Sequence, residues 1–307
     1  MHSYCICGLL VGSEIELPGL IARLRPAAAP AVTIRQAAVC RNLDGASEAG
    51  PTWQIADDRF LLRIPGVARF LIAGGQEIVF ETEDGTPPEE TAIFLVGTAF
   101  GILMHQRSHV ALHASAVAVN GKAALFCGPS GAGKSTIAAA LMQRGYPLVS
   151  DDLCGLELSG TPMVHRDGRQ LKLWVQAIER LDLAANRRAA VRHRLQKYFV
   201  DPDDTASAEA LPIGVVYVLH EAPLPHAPAI TRPSAIDAAR LLRDCAYRPR
   251  LVSQMGQQAD YFNAAVSIAN ITGIFQLTRR FEFAALSEVI ARLEGHWREI
   301  GLAARAA

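Results

Sequence analysis

Residues 128–135 read Gly-Pro-Ser-Gly-Ala-Gly-Lys-Ser, a complete G-x-x-x-x-G-K-[ST] phosphate-binding loop. Such a loop wraps its own backbone N–H groups around phosphate oxygens and then opens a helix whose N-terminus faces the same charge. Gly128, Gly131 and Gly133 supply the unusual dihedrals and the close approach that a Cβ would block, and Pro129, Ser130 and Ala132 complete the cradle. Lys134 is expected to place its ammonium on the β- and γ-phosphates, Ser135 to offer its hydroxyl to Mg²⁺, and Thr136 to make a lesser phosphate contact. The flanks agree with the motif: residues 123–127 are a short apolar run, 136–144 are rich in alanine and leucine, and Gly145 is a natural helix stop. The order strand, loop, helix predicts binding of a nucleoside triphosphate.

A phosphate loop alone does not separate a kinase from a switch or a motor, so the neighbouring residues must decide. Residues 147–150 read as a strand that ends in Asp151-Asp152. One short helix out and one strand back returns these carboxylates to the end of the sheet beside the phosphates. One of the pair can hold Mg²⁺, directly or through water, while the other accepts a proton from an attacking hydroxyl. His113, in Leu112-His113-Ala114-Ser115-Ala116-Val117, falls on a predicted neighbour of the loop strand, where it could orient or tune an aspartate. A lone strand histidine is more often a satisfied core residue, and His105 and His109 take that structural reading. The chain carries neither the Leu-Ser-Gly-Gly-Gln signature of transporter ATPases nor an Asn-Lys-x-Asp guanine reader, which disfavours motors and switches.

The elements that must hold these groups follow from periodicity. Residues 1–85 contain strand-like runs at 3–11, 32–38, 53–55, 60–64, 68–72 and 77–81, which predict a β-rich N-terminal domain. A polar, Pro/Gly-rich stretch at 82–90 marks the boundary. The apolar positions Ala92, Leu95, Val96, Ala99, Phe100, Leu103 and Met104 then predict a helix that lays its stripe on the following domain, residues 86–307. Asn120-Gly121 predicts a hairpin, residues 215–219 and 275–277 read as strands, and 234–244, 258–270 and 284–300 as helices. Residues 171–199 read as one or two helices with a basic run, Arg187, Arg188, Arg192, His193, Arg194 and Lys197. Such a run is usually a solvated face, and if turned to the site it could neutralise phosphate or grip a carboxylate. Arg248 and Arg250, flanking Pro249, are similar candidates.

At 307 residues and 50% hydrophobic, the chain can bury one large core or two moderate ones. Lys+Arg and Asp+Glu balance at 30 each, against a nucleic-acid or membrane surface built on bulk charge. Six cysteines without a C-x-x-C pair suit reduced thiols, and no stretch reaches the roughly 18 apolar residues of a membrane span. A cytoplasmic protein without nucleic-acid or membrane partners is the expectation.

Residues 112–117, 128–136 and 144–152 (Arg-Gly-Tyr-Pro-Leu-Val-Ser-Asp-Asp) together resemble the catalytic domain of bacterial HPr kinase/phosphorylase, a P-loop serine kinase whose core is related to phosphoenolpyruvate carboxykinase. The resemblance implies ATP and Mg²⁺, Asp151 as the base toward a serine hydroxyl, and supporting roles for His113 and for Asp152, the latter at the metal beside Ser135. It also sets Glu209 on that family's metal-binding glutamate, and it suggests a homo-oligomer. Ala114 stands where the family has glycine, Thr136 where it has an acidic residue and Leu211 where it has arginine; a longer segment also separates Asp152 from the strand at 214–218. These departures count against phosphorolysis and against HPr as substrate. The opening at 8–18, together with Leu171-Lys172-Leu173-Trp174 and residues 215–219, is similar to a divergent branch found beside lasso-peptide biosynthesis genes. Members of that branch pair a β-rich N-terminal domain with this core and phosphorylate the C-terminal serine of a precursor peptide.

The sequence therefore predicts an α/β P-loop kinase core of the HPr kinase/phosphoenolpyruvate carboxykinase type behind a β-rich domain, acting on a serine of a peptide substrate. An HPr-type regulatory kinase, a small-molecule serine kinase and a non-catalytic nucleotide-binding regulator are the alternatives.

Overall fold

Alternating apolar residues in the first 82 positions pair into one eight-stranded sheet, as the period-two pattern requires. Its strands, from one edge to the other, are His2–Ile6, Leu9–Ser13, Val32–Gln36, Glu77–Thr82, Ala68–Ala73, Arg59–Ile64, Trp53–Ala56 and Glu48–Gly50. The computed structural model describes residues 1–22, 29–191, 195–202, 205, 209–222, 228–271 and 273–303. The run at 3–11 is two strands, because Cys7 and Gly8 adopt φ of 50° and 78° and fold it into a hairpin.

The helix of residues 88–106 comprises Pro88–Phe94, a π-helical turn Leu95–Ala99, and Phe100–Gln106. Its stripe, Ala92 to Met104, shares a core with Tyr4, Ile6, Phe60, Phe70, Ile78 and Phe80 of the preceding sheet. The same core takes in Ala111, Leu153, Tyr247 and Leu251, so the helix lies on the following domain as expected and on the preceding sheet as well. The aromatic face of the sheet demands a cover, and the opposite side of the helix carries small residues that let Tyr247 approach. A Cβ on Gly101 would fall 2.5 Å from the Tyr247 ring.

The second sheet has nine strands among the described residues. Leu148–Ser150, Ala114–Val119 and Lys122–Cys127 lie in that order beside the long strand Ala210–Glu221. The two ends of that strand take different partners: Met163–His165, then Cys154–Glu157 and Val110–Leu112, on its early half, and Ile274–Arg279 on its late half. Lys122–Cys127, Ala210–Glu221 and Ile274–Arg279 are mutually parallel neighbours. The hairpin at Asn120-Gly121 is present, with both residues at positive φ. Helices Lys134–Met142 and Leu286–Glu299 cover one face, and Ala235–Asp244 with Gln258–Ile271 cover the other.

Residues 171–199 are not mainly helical. Leu171–Trp174, Lys197–Val200 and Arg187–Ala190 form a separate three-stranded sheet, and only Val175–Arg180 is α-helix. Arg192, His193 and Arg194 of the basic run lie outside the described residues. No helix among the described residues is long and apolar enough to cross a membrane, and all six cysteines are free thiols.

A buried ion pair ties the N-terminal sheet to the second. Arg169 Nε lies 2.6 Å from Asp167 Oδ2, both side chains are nearly inaccessible, and Arg169 Nη1 donates to the Val96 carbonyl of the π-turn at 3.0 Å. The Cys7 thiol, at the hairpin of the first sheet, donates to the Leu153 carbonyl at 3.6 Å and lies 3.9 Å from Asp167 Oδ2. Breaking such a pair from one side strands a charge in low dielectric, so R169M should cost about 3–5 kcal/mol. Adding D167N should recover part of the loss, both read from urea denaturation midpoints.

Candidate active site

The three parallel strands end on one side of the sheet, where open α/β sheets present their ligand sites. At the end of Lys122–Cys127 the chain turns through Gly128, Gly131 and Gly133, all at positive φ, into the helix Lys134–Met142. At Gly133 the requirement is double: φ is 79°, and a Cβ would lie 2.8 Å from Arg279 Nη2. The Lys134 ammonium, 5% exposed, donates to the carbonyls of Gly128 and Pro129 at 2.9 Å each. Burial lowers its pKa, against the raising effect of Asp151 and Asp152.

The strand Leu148–Ser150 runs antiparallel to Ala114–Val119, so Asp151 arrives beside Ser115 and the start of the loop helix. Asp151 is 1% exposed and fully engaged. Its Oδ1 accepts from Ser135 Oγ at 2.8 Å and from Ser115 Oγ at 2.5 Å, and its Oδ2 accepts from the Lys172 N–H at 3.2 Å. The first carboxylate of the pair thus meets the loop serine.

Asp152 turns the other way. It is a non-glycine residue at φ 71°, a costly conformation that a packed site can impose. Lys172 Nζ lies 2.7 Å from its Oδ2, and His113 Nδ1 lies 3.3 Å from its Oδ1. Burial pushes the Asp152 carboxyl up, but the Lys172 ammonium and His113 more than offset it and hold it well below the usual carboxylate range. His113 Nδ1 is also 2.9 Å from the Asp152 carbonyl, which only accepts, so the proton is assigned to Nδ1 and Nε2 keeps its lone pair. Burial lowers the His113 pKa, favouring the neutral ring at neutral pH, while the Asp152 carboxylate raises it. His113 occupies the break between strands Val110–Leu112 and Ala114–Val119, its N–H donating to the Cys245 carbonyl at 2.8 Å. It lines both cavities beside the phosphate loop. His105 is a satisfied core histidine, bridging Gln257 and the Tyr247 carbonyl.

Two cavities meet at Asp152. One, of about 360 Å³, holds Lys134, Ser135, Thr136 and both aspartates; the other, of about 430 Å³, is reached by His113, Asp152 and the backbone of residues 128–130 but not by the loop helix. Glu209 is not brought to either. It lies exposed just before Ala210–Glu221, whose Val218 is the residue opposite Cys127, and its carbonyl accepts from the Arg166 N–H at 2.8 Å. The parallel register therefore sets Glu209 at the far end of the strand from the phosphate loop. Among the described residues no group of three or more His, Cys, Asp and Glu side chains gathers as a metal site, so the oxygen pair of Ser135 and Asp151 is what suits a hard cation.

Three residues at the site were not placed there by sequence reasoning from spacing, Lys172, Trp174 and Arg279, whereas Lys197 belongs to the basic run that could turn to the site. Lys172 and Trp174 come from the first strand of the small sheet, Lys197 from its neighbour, and Arg279 from the end of the third parallel strand, where its guanidinium binds the Ala132 carbonyl. A cation just past the strand predicted at 275–277 was the legible signal for Arg279.

The fold is mixed α/β, with the phosphate loop between strand and helix. Among solved structures the chain is similar to the Hpr(Ser) kinase/phosphatase from Coxiella burnetii, at 14% sequence identity, with 62% of this chain and 98% of that chain covered and a TM-score of 0.32. No family model and no curated protein matches the chain.

Because the Asp152 carboxylate raises the His113 pKa, D152N should make the imidazole protonate at lower pH than in the wild type. An NMR titration of the His113 ring checks this, and an unchanged or higher titration point contradicts the electrostatic coupling.

Proposed function

We propose that the chain is an ATP-dependent serine kinase that transfers the γ-phosphoryl group to a serine hydroxyl of a peptide, specifically the C-terminal serine of a lasso-peptide precursor. The observation that carries the kinase reading is the 2.8 Å contact between Ser135 and Asp151, with Asp152 turned from it toward the second cavity. A simple nucleotide-binding module needs the first carboxylate but has no use for the second. The lasso-precursor reading rests on the sequence resemblance at 8–18 and 171–174, and it draws support from Lys172 and Trp174 of the latter segment facing the loop cavity.

In this reading the nucleotide lies along the loop, its phosphates on the backbone N–H groups and on Lys134, its nucleoside toward the aromatic recess of Phe281 and Phe283 beside Thr136. Ser135 and Asp151 would hold Mg²⁺, which supplies charge neutralisation at the phosphates. The contacts favour exchanging the roles expected from resemblance: Asp151, buried against Ser135, belongs to the metal, and Asp152, open to the second cavity, accepts the proton of the serine hydroxyl. The serine oxygen forms its bond to the γ-phosphorus as the bond to the β–γ bridging oxygen breaks, and Lys134 stabilises the charge left on the β-phosphate. Lys172 and His113 hold the Asp152 carboxylate in position. A low carboxyl pKa is compatible with this role, because a loose phosphoryl-transfer transition state asks for positioning more than for a strong base.

Each step has its variant. K134A should abolish ATP binding. D152N should lower kcat by about 10²–10⁴-fold with the affinity for MgATP retained, whereas D151N should raise the Mg²⁺ concentration needed for half-maximal binding. Labelled ATP with serine-ended peptides gives the first readout and calorimetric titration the second. The opposite pattern would return the base to Asp151, and ATP binding without transfer to any hydroxyl acceptor would leave a non-catalytic regulator.

A further inference from the structure

The second cavity has its own charge balance. Asp152 is met by Lys172 and His113, and Asp244 lies 3.0 Å from Arg243. Arg248, exposed on the same wall, has no carboxylate partner among the described residues. Its Nη2 donates to Thr98 Oγ1 of the π-turn at 2.6 Å, and its Cζ lies 5.6 Å from the centroid of the Tyr247 ring. A guanidinium has five N–H donors, so this anchoring leaves others for a ligand. The anchors also hold the head group: the hydroxyl contact fixes its direction, and the ring of buried Tyr247 backs it from the protein side. Arg248 stands at φ 61°, so its direction is set by a left-handed backbone as well.

The same tyrosine measures the distance to the base. The His113 ring, which contacts Asp152, sits 5.8 Å from the Tyr247 ring, edge-on. A cation and a base separated by the Tyr247 and His113 rings span at most about five residues of extended chain, at 3.3–3.6 Å each. We infer that Arg248 is the specificity residue of the acceptor side, reading a carboxylate carried at, or within about five residues of, the serine that is phosphorylated. This rests on the serine-kinase reading above. A chain-terminal carboxylate and a neighbouring acidic side chain share this chemistry.

Three peptides of one sequence separate the outcomes: one ending in serine with a free carboxylate, one with that serine amidated, and one amidated with glutamate immediately before the serine. The full-length wild type should use the free acid at least tenfold better than the amide in kcat/KM, the difference lying in KM. R248Q should erase that preference by raising KM for the acid to that for the amide, and R248K should keep part of it, with ATP affinity reporting an intact fold. Recovery with the glutamate peptide identifies a side-chain carboxylate as sufficient, and its failure identifies the chain terminus; either supports the assignment. Equal use of acid and amide by the wild type, or a preference that survives R248Q, overturns the role of Arg248 alone. Transfer to none of these or any other hydroxyl acceptor overturns the kinase reading and this inference with it.

Discussion

A carboxylate withdrawn from water must be given hydrogen bonds, and Asp151 organises the site by that demand. Its three donors come from three separate elements: Ser115 from the hairpin beside the loop strand, Ser135 from the loop helix, and the Lys172 N–H from the small sheet. Each hydrogen bond to a charged group is worth about 1.5–3 kcal/mol, and each left unmade costs comparably. The phosphate loop, the aspartate turn and the small sheet are therefore positioned together. Once Asp151 is so held, its neighbour must point away, and the left-handed backbone at Asp152 is the consequence, directing the second carboxylate at His113 and Lys172.

The N-terminal sheet joins this arrangement through the π-turn at Leu95–Ala99. That turn offers the Val96 carbonyl to the buried Arg169 and the Thr98 hydroxyl to Arg248. Irregular turns within helices frequently mark functional positions, and here one short segment touches both the structural ion pair and the wall of the second cavity. The helix that contains it is covered on one side by the aromatic face of the first sheet and contacted on the other by Tyr247. Tyr247 in turn meets His113 edge-on. The first eighty residues thus form part of the support for the site through packing, and none of the described ones lines the loop cavity.

What local spacing encodes was legible. The loop, its helix and Gly145 follow from glycine conformations and a single run of residues; the Asn120-Gly121 turn follows from its dihedrals; and the return of Asp151-Asp152 follows from one helix and one strand of ordinary length. The strand at 197–200 was obscured because its burial does not alternate, Lys197 and Tyr198 being half-buried and Phe199 and Val200 buried, and the alternation of Leu171 and Leu173 with Lys172 and Trp174 spans only four residues. The helix at 88–106 packs on the following domain, as expected, but also on the preceding sheet, because an apolar stripe states that it will be buried, not by how many neighbours.

The chain by itself determined the phosphate cradle, the presence of two adjacent carboxylates at the end of a short strand and the candidacy of His113, since each depends on residues close together in sequence. Only the tertiary structure decided which aspartate meets Ser135, which cations meet the other, and that Glu209 stays away. Those outcomes depend on strand register and on contacts between elements more than a hundred residues apart in some cases, as with Thr98 and Arg248, and register is set by the burial of whole faces. No local pattern carries that information.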